Sequence, residues 1–439
     1  MNIIFFALIA IAFLVAAYQQ WIFVPTAPDV PIPMDAMTTA VVEAAGKAVD
    51  LAIGLIGVMA LFLGLMKIIE EAGLLKVIAR LVKPLMIRLF PDVPPEHPAM
   101  GAMIMNMSAN FLGLGNAATP FGIKAMEELN KLNPTKGTAT NAMALFLGIN
   151  TAGFSLLPTS VIALRAESGS HDPAGIVTTT LFASIIAFMT AIFASKTLQR
   201  FFPGGRSEVP VPAVLESGEA DSGVAGSADT SAESTESLGA GYPLWVSVLA
   251  FAAMLSLIPL MILYGKGISP WIIPVLIVSM VSYGFIKRVP VYEVFIAGAK
   301  EGFDISVRII PYLVAILVAV AMFRESGAMN LLIAPLGAIT APLGLPAEAL
   351  TLAIMRSLSG SGSFGLLATF FKDPAIGPDS YTGYLTSTIY GSSETTFYVL
   401  AVYFGAVQVQ KIRHALVTGV VTEIAAVIAA IVICSILHR

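Results

Sequence analysis

The chain has 439 residues, of which 57% are hydrophobic and 12% charged, with a mean hydropathy of +0.85. A soluble domain carries about twice that charged fraction, so the composition excludes one and indicates an integral membrane protein. The formal net charge of −4 carries less information than where the charges lie, and the one cysteine, Cys434, excludes a disulfide framework and a thiolate metal site.

In chain order, Met1–Ala17 has the apolar core of a signal peptide but no charged n-region, and Tyr18-Gln-Gln-Trp21 is a poor cleavage site. An uncleaved first span is expected there. Apolar runs long enough to cross a bilayer, about 20 residues each, appear at 3–23, 48–68, 139–164, 176–197, 244–264, 270–286, 304–323, 383–408 and 415–437. The stretches 98–128 and 347–372 differ, being apolar at both ends with a small, polar, Gly-rich middle. Irregular backbone at membrane depth is tolerated only inside protein or beside water, so both are expected to be re-entrant hairpins. The alternative is an ordinary span whose small residues pack against neighbours. Residues 203–243 run through Gly, Ser, Ala, Thr, Asp and Glu with no apolar period, which predicts a disordered linker. It separates a membrane unit at 1–202 from a second at 244–439.

The two units align. Lys47-Ala-Val-Asp50 precedes an apolar run ending at Glu70-Glu-Ala-Gly73, and Glu301-Gly-Phe-Asp304 precedes one ending at Arg324-Glu-Ser-Gly327. Each is followed by a helix, a polar-tipped hairpin, an interrupted span and a last span, the mark of an internal repeat. With Met1 in the cytoplasm, one crossing per span and none per hairpin, most Lys and Arg fall inside, including Lys76, Arg80, Lys83, Arg88, Lys124, Lys131 and Lys136. The expected fold is therefore an all-α membrane protein of two inverted repeats, each with a re-entrant helical hairpin and a broken transmembrane helix. It would have about nine crossings plus two hairpins, with the substrate site where the hairpin tips meet the broken helices.

Four polar patches carry the chemistry. They are Asn106-Met-Ser-Ala-Asn110 with Asn116, Gly148-Ile-Asn150-Thr151 through Ser155, Arg356-Ser-Leu-Ser-Gly-Ser-Gly-Ser363, and Gly391-Ser-Ser-Glu-Thr-Thr396. An arginine in a membrane is expensive, at least ~2.5 kcal/mol, so Arg356 is paired or faces water. Its planar fork suits a carboxylate or phosphate. The structural reading is an ion pair, with Glu394 the natural partner and Asp304 next. Glu394 itself is a candidate for carrying a proton or meeting a substrate amine, with structural pairing as the other reading. The candidate substrate-binding set is Arg356, Ser357, Ser359, Ser361, Ser363, Ser392, Ser393, Glu394, Thr395, Thr396, Asn106, Asn110, Asn116, Asn150 and Thr151. Asn110, Asn150 and Ser155 are candidate ligands for Na⁺, which neutral oxygens and unwound carbonyls suit better than a divalent metal. Some of these residues are expected only to cap half-helices or bond neighbouring helices.

Several motifs are decoys. Gly360-Ser-Gly-Ser-Phe-Gly365 matches GxGxxG without a βαβ context, and the sequon Asn106-Met-Ser108 lies at membrane depth. Met100, Met103, Met105 and Met107 read as core packing rather than a soft-metal site. Asp50 and Asp304, at the mouths of spans, read as helix caps, with closing a gate as the other reading, and Lys76–Arg88 reads as an amphipathic helix at the cytoplasmic interface. No catalytic set and no phosphate loop appear, so no enzyme is expected.

At these motifs the chain resembles a known family. Asn106-Met-Ser-Ala-Asn110, Gly113-Leu-Gly-Asn-Ala-Ala-Thr-Pro-Phe-Gly-Ile-Lys-Ala-Met126 and Leu157-Pro-Thr-Ser-Val-Ile-Ala-Leu-Arg165 resemble spore maturation protein A. Arg356-Ser-Leu-Ser-Gly-Ser-Gly and Gly391-Ser-Ser-Glu-Thr-Thr-Phe-Tyr-Val-Leu-Ala-Val-Tyr-Phe-Gly405 resemble spore maturation protein B. Both belong to the nucleoside-recognition or gate group, which is similar to the membrane cores of ferrous iron transporters and concentrative nucleoside transporters. The resemblance implies a fusion of two usually separate chains and a transport architecture, but no substrate, because fold similarity is a weak warrant for a ligand.

The resulting expectation is an ion-coupled secondary transporter of a small polar, carboxylate-bearing solute, multi-pass in the bacterial inner membrane. Arg356 would clamp the anion and Glu394 an amine or the coupling proton. No cofactor is expected beyond a coupling Na⁺ or H⁺, and the expected partners are the solute, lipid and a second copy of the chain, not nucleic acid. The competing readings are a non-transporting membrane scaffold for cell-envelope machinery, and an ion or metal permease.

Overall fold

A computed structural model describes residues 2–23, 32–113, 115–202 and 241–438. The expected linker at 203–243 lies outside the described residues except for 241–243, where the Tyr242 amide donates to the Arg80 carbonyl at 3.1 Å.

The described chain is helical. The helices are α1 (Asn2–Ile22), α2 (Pro33–Glu71), α3 (Leu74–Leu89), α4 (Pro98–Leu112), α5 (Gly115–Lys131), α6 (Asn141–Thr151), α7 (Thr159–Glu167) and α8 (Ile176–Leu198). After the linker come α9 (Leu244–Ile286), α10 (Val291–Glu325), α11 (Ala328–Thr340), α12 (Ala347–Leu358), α13 (Gly360–Lys372), α14 (Tyr381–Gly391), α15 (Thr396–Ala406) and α16 (Ala415–Leu437). Their starts follow local chemistry. Pro opens α2 and α4, where its missing N–H is no loss. The side chains of Thr140, Ser359 and Ser380 each accept an otherwise orphaned amide at the start of α6, α13 and α14. α3 buries Leu75, Ala79, Val82 and Met86 on one face and leaves Lys76, Arg80 and Arg88 exposed.

The crossing count differs from the sequence expectation. Among the described residues, three helices are long and apolar enough to cross a membrane: Pro33–Glu71, Pro173–Leu198 and Ala415–Leu437. A pair bent by 100°, Pro335–Leu343 with Ala347–Leu358, raises this to at most four. The expectation of about nine crossings plus two hairpins is thus overturned, and the inverted orientation of the repeats, which depended on that count, falls with it. The physical reason is length. The polar-tipped and interrupted stretches divide into helices of 9 to 17 residues. At 1.5 Å per residue those reach about 14–26 Å, short of a ~30 Å hydrocarbon core. The runs at 244–264 and 270–286 also lie in one continuous helix, α9. Asp50 and Asp304 cap nothing: both are exposed in the interiors of α2 and α10.

Helices α2 and α10 cross closely because small residues face each other. A Cβ at Gly298 would lie 2.5 Å from the Leu63 carbonyl oxygen, and one at Gly302 would lie 2.8 Å from Ala60 Cα. This is the small-xxx-small contact by which helices approach in lipid.

Two buried cores exchange elements between the halves. Met100, Met103 and Met107 of α4, Met126 of α5 and Phe146 of α6 gather around Leu400, Tyr403 and Phe404, which come from α15. Reciprocally, Leu352 of α12, Leu366 of α13 and Leu385 of α14 gather around Val161, Ile162 and Leu164 of α7. Each half therefore completes the apolar core of the other.

Candidate functional site

The site forms where helices stop. α6 ends at Thr151 and α7 starts at Thr159; α14 ends at Gly391 and α15 starts at Thr396. These two breaks touch, because the Glu394 amide donates to the Thr151 carbonyl at 2.8 Å. Gly153 makes the approach possible. Its φ is +55°, and a Cβ there would lie 2.8 Å from the Glu394 nitrogen. Two further breaks adjoin them. Ser359, extended at φ −154° and ψ 117°, separates α12 from α13. Gly113 ends α4 in the left-handed region, next to Phe111, whose carbonyl accepts from Leu156 N at 3.0 Å. A cleft of about 850 Å³ lies among the four breaks, lined by Gly113, Ser155, Arg356, Ser359, Ser361, Tyr390, Glu394 and Thr395. A second cavity of about 360 Å³, between Lys47, Arg324 and Asp373, shares none of the polar-break residues.

Arg356 organises the cleft wall. Its guanidinium is 3.2 Å from the Glu394 carboxylate, also donates to the Ser393 carbonyl, and reaches Thr395 Oγ1 at 3.4 Å. The Tyr390 ring covers its face, with the guanidinium carbon 4.4 Å from the ring centroid. The Arg356 side chain is 6% exposed while that of Glu394 is 53% exposed. The cation is thus held inside the wall and the carboxylate faces the cleft.

The remaining predicted residues divide by position. Ser155, Ser359, Ser361 and Thr395 line the cleft with Arg356 and Glu394. Ser363 and Ser392 are buried and donate to carbonyls of their own helices. Ser393 contributes its carbonyl to Arg356, and Thr151 its carbonyl to Glu394. Ser357 is turned toward Glu423 on α16, away from the cleft. Asn106, Asn110 and Asn150 do not line the cleft and are linked to one another through Tyr403. Asn110 donates to Asn150 Oδ1 at 3.0 Å, Tyr403 donates to the same oxygen at 3.3 Å, and Asn106 donates to Ala118 O at 2.8 Å. Asn116 lies in the first turn of α5, and its side chain is outside the described residues. Of the predicted ion ligands, then, Ser155 faces the cleft while Asn110 and Asn150 bond each other. Among the described residues, no group of three or more His, Cys, Asp or Glu could hold a metal ion.

Sequence reasoning missed four participants: Tyr390, Tyr403, Glu423 and Arg165. Tyr390 and Tyr403 carried no positional signal, being aromatic residues in apolar runs. Glu423 did carry one, as the single charge inside the last apolar run. Arg165, with a fully buried side chain, joins the halves at the end of α7. It donates to Pro378 O at 2.6 Å, Ser387 Oγ at 3.2 Å and Asp379 Oδ1 at 3.0 Å, and lies over the Tyr384 ring at 4.2 Å.

A family described as "Nucleoside recognition" matches residues 52–168. Spore maturation protein A of Bacillus subtilis (strain 168) is 46% identical over 157 residues, covering 36% of this chain and 80% of that protein. Spore maturation protein B of the same organism is 43% identical over 165 residues, covering 38% of this chain and 92% of that protein. No solved structure matches. With several long apolar helices the chain is a multi-pass membrane protein, and it belongs to the spore maturation protein A and B family as a fusion of an A-like and a B-like unit.

Proposed function

We propose that the chain is a membrane scaffold in cell-envelope maturation whose cleft recognises a small polar solute without driving it across the bilayer. The observation that carries this reading is the engaged fork of Arg356, bonded to Glu394 and to the Ser393 carbonyl. An incoming carboxylate would have to displace Glu394 from it. A neutral or zwitterionic solute of nucleoside size would instead meet the exposed Glu394 carboxylate, the hydroxyls of Ser155, Ser359 and Ser361, and the rings of Tyr390, Phe397 and Tyr398. Aromatic faces and a few convergent polar groups are what such a ligand requires. The description of the matching family and the names of the two relatives support the same reading.

The test pairs binding with transport. Purified chain should be stabilised by a nucleoside-sized neutral solute. Proteoliposomes should not accumulate that solute under a Na⁺ or proton gradient. Gradient-driven accumulation of a carboxylate, abolished by Arg356→Gln in a folded protein, would overturn this reading in favour of an ion-coupled carrier. The cleft volume of about 850 Å³ favours a second reading, a permease through which a small solute or ion passes down its gradient. Equilibrative exchange of label in the same vesicles would select it.

A further inference from the structure

Helix α16 carries one charged residue between Ala415 and Leu437, Glu423. The residue is 6% exposed and, among the described residues, makes no ion pair. One carboxylate oxygen accepts the Thr396 amide at 3.0 Å, and the other accepts the Ser357 hydroxyl. A bare carboxylate in such a place is costly; buried charges are paired or neutralised.

The cations nearby are already committed. α16 packs on α6, α8, α12, α14 and α15. α6 carries no titratable residue, and α8 only Lys196 near its far end, bonded to Leu89 O at 2.8 Å. α12 brings Glu348 and Arg356, the latter engaged by Glu394 at the start of α15. α14 and α15 bring only tyrosines. Tyr381 bonds Gly344 O and Ser435, Tyr384 lies under Arg165, Tyr390 lies under Arg356, Tyr403 bonds Asn150, and Tyr398 lines the cleft. The Arg356–Glu394–Glu423 group thus has two carboxylates for one guanidinium, a surplus of one negative charge.

Thr396 stands beside that surplus. It is fully buried and meets Glu423 through both its amide and its hydroxyl. A Cβ at Gly419, one turn before Glu423 on the same helix face, would lie 3.0 Å from that Oγ1. The hydroxyl oxygen is therefore on the face of α16 that carries the carboxylate.

We infer that Glu423 and Thr396 Oγ1 form a buried monovalent-cation site, holding either a proton or a Na⁺ ion between the carboxylate and the hydroxyl. Ser357 follows Arg356 directly, and Thr396 lies two residues after Glu394, so occupancy of this site is built into the same wall that faces the cleft. The site stands on its own packing and does not depend on which solute the cleft takes.

The experiment uses the full chain in lipid nanodiscs, with no solute. If a proton occupies the site, pH-difference infrared spectra show a protonated-carboxyl band that Glu423→Gln removes. If Na⁺ occupies it, replacing choline by Na⁺ at alkaline pH raises the melting midpoint by several degrees in the native chain and not in Glu423→Gln. Either response, lost in the variant, supports the site. Absence of both from the native chain, or persistence of the response in Glu423→Gln, overturns it. Should Glu423→Gln not fold, Thr396→Val is read instead. It should shift the midpoint of the native response about tenfold in cation concentration, and an unchanged midpoint would overturn the proposal.

Discussion

The Thr151 carbonyl accepts the Glu394 amide at 2.8 Å, binding the helix break of one half to the helix break of the other. Both groups would be orphans at a helix end, and a buried orphan costs about 1–3 kcal/mol. Here each satisfies the other, which lets irregular backbone persist beside a polar cleft.

The close approach at Gly153 predicts a graded effect of adding one methyl group. Gly153→Ala forces an L-residue to φ +55° and places carbon 2.8 Å from the Glu394 nitrogen. Gly73→Ala has the same backbone demand at φ +78° with nothing within 4 Å. The Gly73 variant should lose about 1–2 kcal/mol from backbone strain alone. The Gly153 variant should lose measurably more. Melting of both variants in the same detergent checks the difference.

Arg165 makes another contact between the halves. Its buried guanidinium serves Pro378 O, Ser387 and Asp379 at once. Arg165→Met leaves Asp379 and the Pro378 carbonyl without their cation and should cost about 3–5 kcal/mol. Arg165→Lys should recover less than half of that, because an ammonium cannot reproduce the planar fork. Denaturant titration of the three proteins measures the ranking.

His414 precedes α16, fully buried, with neither ring nitrogen hydrogen-bonded. Burial first, and then the Arg413 charge, push it from its ordinary 6.5 down to about 4. The unfolded chain takes up a proton near 6.5 and the folded chain does not until about 4, so the stabilisation is complete above 6.5. It is lost as pH falls from 6.5 to about 4. Replacing His414 by Phe should flatten this part of the stability–pH curve, as followed by melting midpoints across that window.

The exchange of helices between cores predicts mutual dependence of the halves. Tyr403 and Phe404 fill the core around α4, and Val161 and Leu164 fill the core around α14. Residues 1–202 and 244–439 expressed as separate chains should accumulate as folded protein only when made together. Co-purification and yield, compared with each half alone, give the answer.

Much of the site was legible in the sequence because polar residues in apolar runs are conspicuous. Arg356, Glu394, Ser155 and Ser359 meet at one cleft from separate patches. Arg356 takes Glu394, the partner expected under the structural reading of that arginine. The crossing count was not legible, because hydropathy does not report where a run divides into helices of 11 or 12 residues. The Asn110–Asn150 contact was not legible, because sequence does not report which neutral amides meet; in the structure Asn110 donates to Asn150 Oδ1, and Asn150 donates to the Phe146 carbonyl. Asp50 and Asp304 looked like caps because each precedes an apolar run, yet α2 and α10 begin well upstream of them. Glu423 was overlooked because a lone glutamate in an apolar run forms no motif, although its isolation was itself the signal.

The most direct measurement is the rate at which a small, charged, membrane-impermeant thiol reagent modifies single cysteines in the full chain, with buried Cys434 as a silent background. Cysteines at Ser155 and Ser361, which line the cleft from different halves of the chain, should react readily, and modification of either should slow the other. Cysteines at the buried positions Ser363 and Ser392 should stay unmodified. Failure of both wall positions to react, or reaction of all four alike, would contradict a water-filled recognition cleft at the meeting point of the two halves.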